Sequence, residues 1–218
     1  MLARTARGPG ASPLLGHRTG SAAHLLAVGL GNPGAEYERT RHNLGAEVVA
    51  RLAARHGGRL RRSRAERSMV DEVRLDCQGG RRLALAFPQT YVNESGLAVA
   101  RLVRRFGIED LSRLVVVYDE LDLPVGRLRV KVGGGTAGHN GLRSIQAHLH
   151  SSDFLRVRIG VGKPPGRKEG ADHVLAAPTR AERKELDVVV EEAADAVEML
   201  VCESPRAAMN RFNAPPQP

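Results

Sequence analysis

The sequence has few aromatic residues, few cysteines and no long apolar run. Aromatic side chains make up 3% of the 218 residues and tryptophan is absent, so the core must be built from leucine, valine, isoleucine and alanine. No apolar segment reaches the roughly 20 residues that a membrane-spanning helix needs, which predicts a soluble protein. The two cysteines, Cys77 and Cys202, fit no zinc or redox spacing. We expect them to be reduced, apolar side chains in a reducing compartment.

The chain is basic, and its positive charge is unevenly distributed. The net charge is +9. Residues 25–168 carry 25 basic and 14 acidic side chains, whereas residues 169–204 carry 3 basic and 10 acidic ones. The excess positive charge coincides with the glycine-rich part of the chain, which favours a polyanionic partner such as RNA.

The length predicts one domain preceded by a basic extension. Residues 1–24 are rich in Arg, Ala, Gly and Ser and contain no acid. This composition fits an organellar transit peptide, and it equally fits a disordered tail or an over-extended start. Because glycine and proline at 8–13 would interrupt an amphipathic helix, we expect a disordered extension. The domain is then predicted over 25–213, with a flexible tail at 214–218.

Apolar periodicity predicts alternating strands and helices. The predicted strands are Leu25–Leu30, Ser68–Asp76, Arg82–Phe87, Leu114–Tyr118, Gly126–Val132 and Phe154–Val161. The predicted helices are Asn43–His56, Ser95–Phe106, a stripe through Leu142, Ile145 and Leu149, and a final helix opened by a Thr179–Glu182 capping box. Residues 162–170 are predicted to be a surface loop. The alternation predicts a single-domain, three-layer α/β/α fold with a mixed, twisted sheet flanked by helices.

The first predicted strand is followed by a G-x-G-x-x-G pattern over residues 29–34, which is typical of dinucleotide-binding turns. Three observations disfavour a nicotinamide oxidoreductase. Pro33 removes a backbone donor from the turn, the helix begins only near Asn43, and no acid follows at the spacing needed to bind a ribose. We expect the glycines to turn the chain and bring Asn32 close to a ligand, and we expect no cofactor.

Polar residues lie at the ends of several predicted elements. Asn32 and Asp119 follow strands whose carboxyl ends should meet at one edge of the sheet. His42 and Asn93 precede helices, and a glycine-rich segment holds His139 and Asn140. Taken singly, each residue has an ordinary alternative role: Asn43 or Asn93 as a helix cap, Asp119 as a partner of an arginine, His42 as a surface histidine.

Taken together, these segments resemble the bacterial-type peptidyl-tRNA hydrolase family. The segments that carry the resemblance are "GLGNPGAEYERTRHNLG", "FPQTYVNESGLAV", "YDELDLPVGRLRVKVGGGTAGHNGLRSI" and "FLRVRIGVGKP". The resemblance implies hydrolysis of the ester between a peptide and the 3′ ribose of tRNA, which recycles tRNA from prematurely released peptidyl-tRNA. It also implies a cytoplasmic monomer. We expect no metal site, because the histidines lack a convincing set of partner ligands. The location would be organellar if residues 1–24 are a transit peptide.

The resemblance also assigns roles to residues. It implies that His42 is the general base that activates water, that Asp119 fixes its tautomer, and that Asn93 holds the water or the developing oxyanion. Asn32 and Asn140 would bind the peptide backbone and the terminal ribose. The remaining residues implied at the substrate site are Tyr37, Tyr91 and His139.

Lys131 and Arg158 are the positions that the resemblance marks for tRNA phosphates. One departure from the family pattern is Val92, which stands where methionine is usual. A second hypothesis stays open, because the scaffold also resembles plant chloroplast intron-splicing factors that bind RNA without hydrolysis. The intact set of His42, Asp119 and Asn93 favours the enzyme.

Overall fold

The computed structural model describes residues 22–77, 79–164 and 170–214. Seven strands form one sheet: β1 (Leu25–Gly29), β2 (Arg61–Ser63), β3 (Ser68–Leu75), β4 (Arg81–Pro88), β5 (Leu114–Glu120), β6 (Leu128–Val132) and β7 (Leu155–Gly160). The α-helices are α1 (Leu44–Arg55), α2 (Ser95–Arg105), α3 (Asn140–Leu149), α4 (Gly170–Leu175), α5 (Arg180–Cys202) and α6 (Pro205–Phe212).

The sheet is mixed and has the order β2-β3-β4-β1-β5-β7-β6. The four central strands β4, β1, β5 and β7 are parallel, and β1 and β5 are buried at every position. Such continuous burial requires a layer on each face, which explains the unbroken apolar runs in these strands. Antiparallel neighbours extend the sheet at both edges.

Each face of the sheet carries its own apolar core. On one face, Val48 of α1 and Leu186 of α5 pack over Leu85 and Val117. On the other face, Val99 of α2 and Ile145 of α3 pack over the strands. The three-layer α/β/α prediction is therefore confirmed.

Three elements were not predicted from the sequence. Strand β2 is short and exposed, and helices α4 and α6 have six and eight residues, so each offers too short an apolar pattern to detect. Gly170 begins α4, so the last residue of the predicted loop at 162–170 is helical. Residues 165–169 of that loop lie outside the described residues.

The packed part of the chain extends a little beyond the predicted domain boundary. Ala23 is 1% exposed and its amide donates to Phe106 O. His24 donates from its backbone to Arg82 O at 2.9 Å. These residues thus belong to the domain, not to the extension. The rest of the predicted extension, residues 1–21, lies outside the described residues, as do residues 215–218 of the predicted tail.

The expectation of two reduced cysteines was wrong. Cys77, which follows β3, and Cys202, the last residue of α5, form a disulfide with Cα atoms 5.8 Å apart. The two residues are 125 positions apart, and only the packing of α5 near the β3–β4 hairpin brings them together. Sequence spacing carries no signal for such a long-range pair.

The described helices include none that is long and apolar enough to cross a membrane. The longest of them, α5, carries charged residues along its exposed side.

Candidate active site

The glycines of the first motif allow a helix to pack directly on the sheet. A Cβ at Gly29 would overlap the carbonyl of Gly45 in α1, and a Cβ at Gly45 would overlap the carbonyl of Val117 in β5. Ala46 N also donates to Leu30 O at 3.1 Å. The start of α1 is therefore held against the carboxyl ends of β1 and β5.

This packing brings His42 to Asp119. His42 lies in a 3₁₀ turn, Arg41–Asn43, that leads into α1. Its Nδ1 is 2.8 Å from Asp119 Oδ1, at the end of β5. Asp119 is buried, whereas His42 is partly exposed at a cavity. Among the described residues, His42 Nε2 has no hydrogen-bond partner, so this nitrogen is available to a ligand in the cavity.

The pair perturbs both titrations. Burial alone would lower the pKa of His42, but the charge of Asp119 and its hydrogen bond outweigh burial and raise that pKa above 6.5. Burial likewise opposes ionisation of Asp119, yet the nearby imidazoles hold the pKa of that carboxyl well below its usual range. Asp119 is therefore an anion throughout the neutral range, and it favours the protonated form of His42.

A second imidazole meets the same carboxylate. His139 Nε2 is 3.4 Å from Asp119 Oδ1. Its Nδ1 accepts from the amides of Gly141 and Leu142, so His139 caps the N-terminus of α3. Because Nδ1 accepts, the proton of the neutral ring must lie on Nε2, which donates to Asp119. Sequence reasoning placed His139 at the substrate, whereas the structure engages both of its ring nitrogens within the protein.

One group of described residues is compact enough to consider a metal ion. The possible ligand atoms of His42, Asp119 and His139 all lie within 4.8 Å of one another. The hydrogen bonds argue against ligation. A metal would have to take the Nε2 lone pair of His139, and this would move a proton to the Nδ1 that caps α3. The residues therefore fit a hydrogen-bonded triad better than a metal site.

Asn32 is fixed by three hydrogen bonds. Its backbone amide and carbonyl bind the Asn43 side chain, each at 2.9 Å. Its own Oδ1 accepts from Val92 N at 2.9 Å, which leaves Nδ2 as the remaining donor of a side chain that lines the cavity. Asn43 is thus a positioning residue, not the side-chain cap that sequence reasoning allowed.

The other predicted amides lie at the cavity surface. Asn93 and Asn140 are exposed and line the same cavity as His42. Tyr91 is 55% exposed, also lines the cavity, and makes an edge contact with Tyr37, with ring centroids 6.5 Å apart. The structure therefore brings eight of the predicted site residues together at this place: His42, Asp119, Asn93, Asn32, Asn140, His139, Tyr91 and, beside Tyr91, Tyr37.

The cavity has a volume of about 660 Å³ and a lining of two kinds. The imidazole, carboxylate and amides form its polar part. Its apolar part, the α4 wall, comes from Leu121 and from α4, through Val174 and Leu175. Leu175 is a large apolar residue that is 41% exposed. Such a combination suits a ligand with a polar reacting centre and an apolar portion.

Sequence reasoning missed Arg41, which anchors the α4 wall. The guanidinium is buried and donates to the carbonyls of His173, Ala176 and Ala177 at 3.1–3.3 Å. It also makes a paired contact with both Glu182 oxygens, at 2.9 and 3.0 Å. The only sequence signal was its place beside His42, because its partners are more than 130 positions away.

The two predicted phosphate ligands lie on neighbouring strands. Lys131 on β6 is exposed, and its ammonium lies against Gly134. Arg158 on β7 is not free: Nε and Nη2 donate to Glu120 Oε2 at 3.0 and 2.8 Å. Arg156, also on β7, is 1% exposed and donates to the carbonyls of Gly134 and Gly135. The glycine loop therefore covers Arg156, which is not available to a phosphate.

A partly exposed imidazole, oriented by a buried carboxylate and surrounded by amides on an α/β fold, is an arrangement that suits a hydrolase acting through a general base. Comparison with known proteins gives the family. Residues 26–218 match the model of the family described as "Peptidyl-tRNA hydrolase", and the chain belongs to that family.

Individual relatives agree with this assignment. The chain is 50% identical over 188 residues to a peptidyl-tRNA hydrolase of Rhodococcus erythropolis, covering 86% of this chain and 97% of the relative. It is 48% identical over 190 residues to that of Mycobacterium tuberculosis, covering 87% and 97%. The crystal structure of peptidyl-tRNA hydrolase from Acinetobacter baumannii superposes with a TM-score of 0.79 at 37% identity, covering 89% and 98%.

Proposed function

We propose that this chain hydrolyses the ester bond between a peptide and the 3′ ribose of tRNA, with His42 as the general base. The observation that carries the proposal is the 2.8 Å contact between His42 Nδ1 and the buried Asp119, which leaves Nε2 facing the cavity. Family membership and the cluster of amides around the same cavity support it.

The reaction needs no covalent nucleophile, because an ester is already reactive towards activated water. A water molecule gives a proton to His42 Nε2 as its oxygen attacks the ester carbonyl. The imidazolium that forms is stabilised by Asp119, which holds the proton on Nδ1. The tetrahedral intermediate then collapses, the bond to the ribose oxygen breaks, and His42 returns the proton to that oxygen. The products are a peptide carboxylic acid, which ionises, and tRNA with a free 3′ hydroxyl.

The amides serve binding and charge stabilisation. Asn93 lies at the cavity surface, where its amide can donate to the oxyanion; loss of one such donor costs roughly 10²–10³ in rate. Asn32 Nδ2 and the Asn140 amide can bind peptide backbone and ribose groups. These groups are present in every substrate, so the site accepts peptides regardless of their side chains.

The RNA would be held through its phosphates. Lys131 is exposed on the edge strand β6 and can contact them directly. Arg158 would have to share its guanidinium between Glu120 and a phosphate, which makes it the weaker of the two candidates. Three points implied by the family resemblance stay predictions. They are contact with the acceptor stem and 3′ end of the tRNA, the monomeric state, and the cytoplasmic location.

The test is release of labelled peptide from purified peptidyl-tRNA. His42→Ala should lower turnover by about 10²–10⁴-fold while the affinity for deacylated tRNA changes little, because His42 carries the proton and not the RNA. His148→Ala is the matched control, since His148 is exposed on α3 and does not line the cavity. A wild-type protein that binds tRNA but releases no peptide would instead be a non-catalytic RNA-binding relative.

A further inference from the structure

A second depression adjoins the cavity and takes no part in the proposed reaction. It has a volume of about 480 Å³ and meets the cavity at Tyr91, which lines both. Its other walls include Arg62, Arg64, Arg67 and Thr90. We refer to this depression as the arginine groove.

The three arginines are exposed and uncompensated. Within the described part of the chain, no carboxylate lies within ion-pair distance of Arg62, Arg64 or Arg67. The nearby Glu66 is engaged by Arg105 at 2.6 Å. Arg55, by contrast, is paired with acids, whereas some other exposed arginines of the described chain, such as Arg59 and Arg104, have no ion pair either. Glu94 is the one carboxylate in the lining of the groove, so its wall carries a net positive charge.

The groove also holds an unmet hydrogen-bonding group. Thr90 is 6% exposed, and its hydroxyl has no partner among the described residues. A buried hydroxyl without a partner is costly, which indicates a site that a polar ligand or water completes. Together with three guanidinium groups, a free hydroxyl donor suits an anionic oxygen ligand.

The position of Tyr91 indicates what kind of anionic ligand the groove binds. The ring is 55% exposed at the junction of the groove and the cavity. Exposed aromatic rings beside a basic groove are the usual platform for the bases of single-stranded nucleic acid, whose backbone follows the positive charge. The duplex part of an RNA has its bases already stacked and offers none to such a ring.

We propose that the arginine groove binds the phosphates of the unpaired 3′ end of the RNA, with a base on Tyr91, and so guides the ester into the cavity. The proposal rests on the proposed function, because that function makes the ligand an RNA with a reacting 3′ end. An acidic peptide is the alternative occupant. Every RNA end is anionic, whereas peptides vary in charge, so a fixed cationic groove would penalise basic peptides in an enzyme that must accept all of them. The apolar α4 wall is better suited to the peptide.

The test compares two RNA hairpins with the same stem, one blunt and one carrying a four-nucleotide unpaired 3′ end. The variant is Arg62→Gln, Arg64→Gln and Arg67→Gln combined, because glutamine removes charge and keeps much of the length. The matched control replaces three exposed arginines, Arg59, Arg104 and Arg206, by glutamine. They lie at or after the far ends of helices α1, α2 and α5, each of which begins near the cavity.

Affinities are measured by fluorescence anisotropy at 50 and 200 mM salt. Each lost single-strand phosphate contact lowers the salt slope by about 0.7, so three lost contacts lower it by about 2. Over this fourfold salt range the wild type should therefore lose about 20-fold more affinity than the groove variant, for the overhang RNA only. The control variant should follow the wild type.

If the groove variant lost equal affinity for the blunt and the overhang RNA, the proposal would be overturned, because the arginines would then hold the duplex. Unchanged RNA binding would also overturn it, and slower release of acidic peptides alone would assign the groove to the peptide. The RNAs carry no ester, so the binding result does not depend on hydrolysis. A wild type that binds the overhang RNA through these arginines but hydrolyses nothing would refute the proposed function and leave the groove standing.

Discussion

Replacement of Asp119 by asparagine isolates the contribution of the buried carboxylate to catalysis. The shape is retained and the negative charge is removed. Asp119 is 3% exposed and faces two imidazoles, His42 at 2.8 Å and His139 at 3.4 Å. The imidazolium that forms on His42 during water attack would then lose its counter-ion.

The expected loss of activity follows from the distance between the charges on His42 and Asp119. Opposite charges whose centres are about 4 Å apart attract by about 4 kcal/mol at the effective dielectric constant of about 20 that suits protein sites. If most of this attraction is realised only in the transition state, Asp119→Asn lowers kcat/KM about a thousandfold. Binding of deacylated tRNA should change little, because Asp119 is buried.

The pH profile gives a second readout. General-base activity requires neutral His42, whose pKa is raised above 6.5, so wild-type kcat/KM should fall as the pH drops through that raised value. Without the carboxylate only burial remains, and burial lowers the pKa of His42. The acid limb of Asp119→Asn should therefore move to lower pH while the plateau falls.

The direction of the His42 pKa shift also determines how the unfolding free energy depends on pH. Because the folded pKa of His42 is raised, the ion pair with Asp119 stabilises the wild type most below pH 6.5, and this contribution is lost as the pH rises through the folded pKa. Asp119→Asn should lack this pH-dependent part of the unfolding free energy.

The assay is single-turnover release of peptide from peptidyl-tRNA between pH 5 and 9. His139→Asn is the control, since asparagine can still cap α3 while the contact of His139 with Asp119 is lost. Its acid limb should stay above pH 6.5. The reasoning is refuted if Asp119→Asn keeps activity within tenfold of the wild type, or if its acid limb does not move.

Two further predictions concern the framework around the site. Arg41→Met should lower the unfolding free energy by roughly 3 kcal/mol in urea denaturation, because Glu182 and three carbonyls lose a buried partner, and it should raise KM by loosening the α4 wall. The exposed Arg180→Met is its control, and equal stability of the two variants would contradict the assigned anchor role. Cys202→Ser should lower the unfolding free energy by up to about 5 kcal/mol, because the disulfide closes a loop of 125 positions. Reductant should bring the wild type to the same value, and a wild type indifferent to reductant would show that the thiols are unpaired in solution.

Local patterns predicted the central elements well. The apolar runs of β1 and β5 and the capping box of α5 are visible in a short window of sequence, because they reflect burial and local hydrogen bonding. The exposed strand β2 and the six-residue α4 gave no such signal. Their stability depends on neighbours, and α4 in particular depends on Arg41.

The grouping of the site residues was predicted in part. His42, Asp119 and the amides were expected to lie together and they do, but the sequence offered no means to separate groups that face the cavity from groups that position them. His139 donates to Asp119 and caps α3, Asn43 clamps Asn32, and Arg158 pairs with Glu120. Each of these facts depends on the direction of a side chain relative to a distant partner.

Short segments were enough to predict the alternation of strands and helices, the basic character of the chain and the polar residues at the strand ends, because burial periodicity and charge are local properties. The pairing of Cys77 with Cys202, the burial of Arg156 under a glycine loop and the arginine groove that meets the cavity at Tyr91 emerged only from the folded chain. They depend on which elements pack together across 21 to 125 positions, and no short segment encodes that.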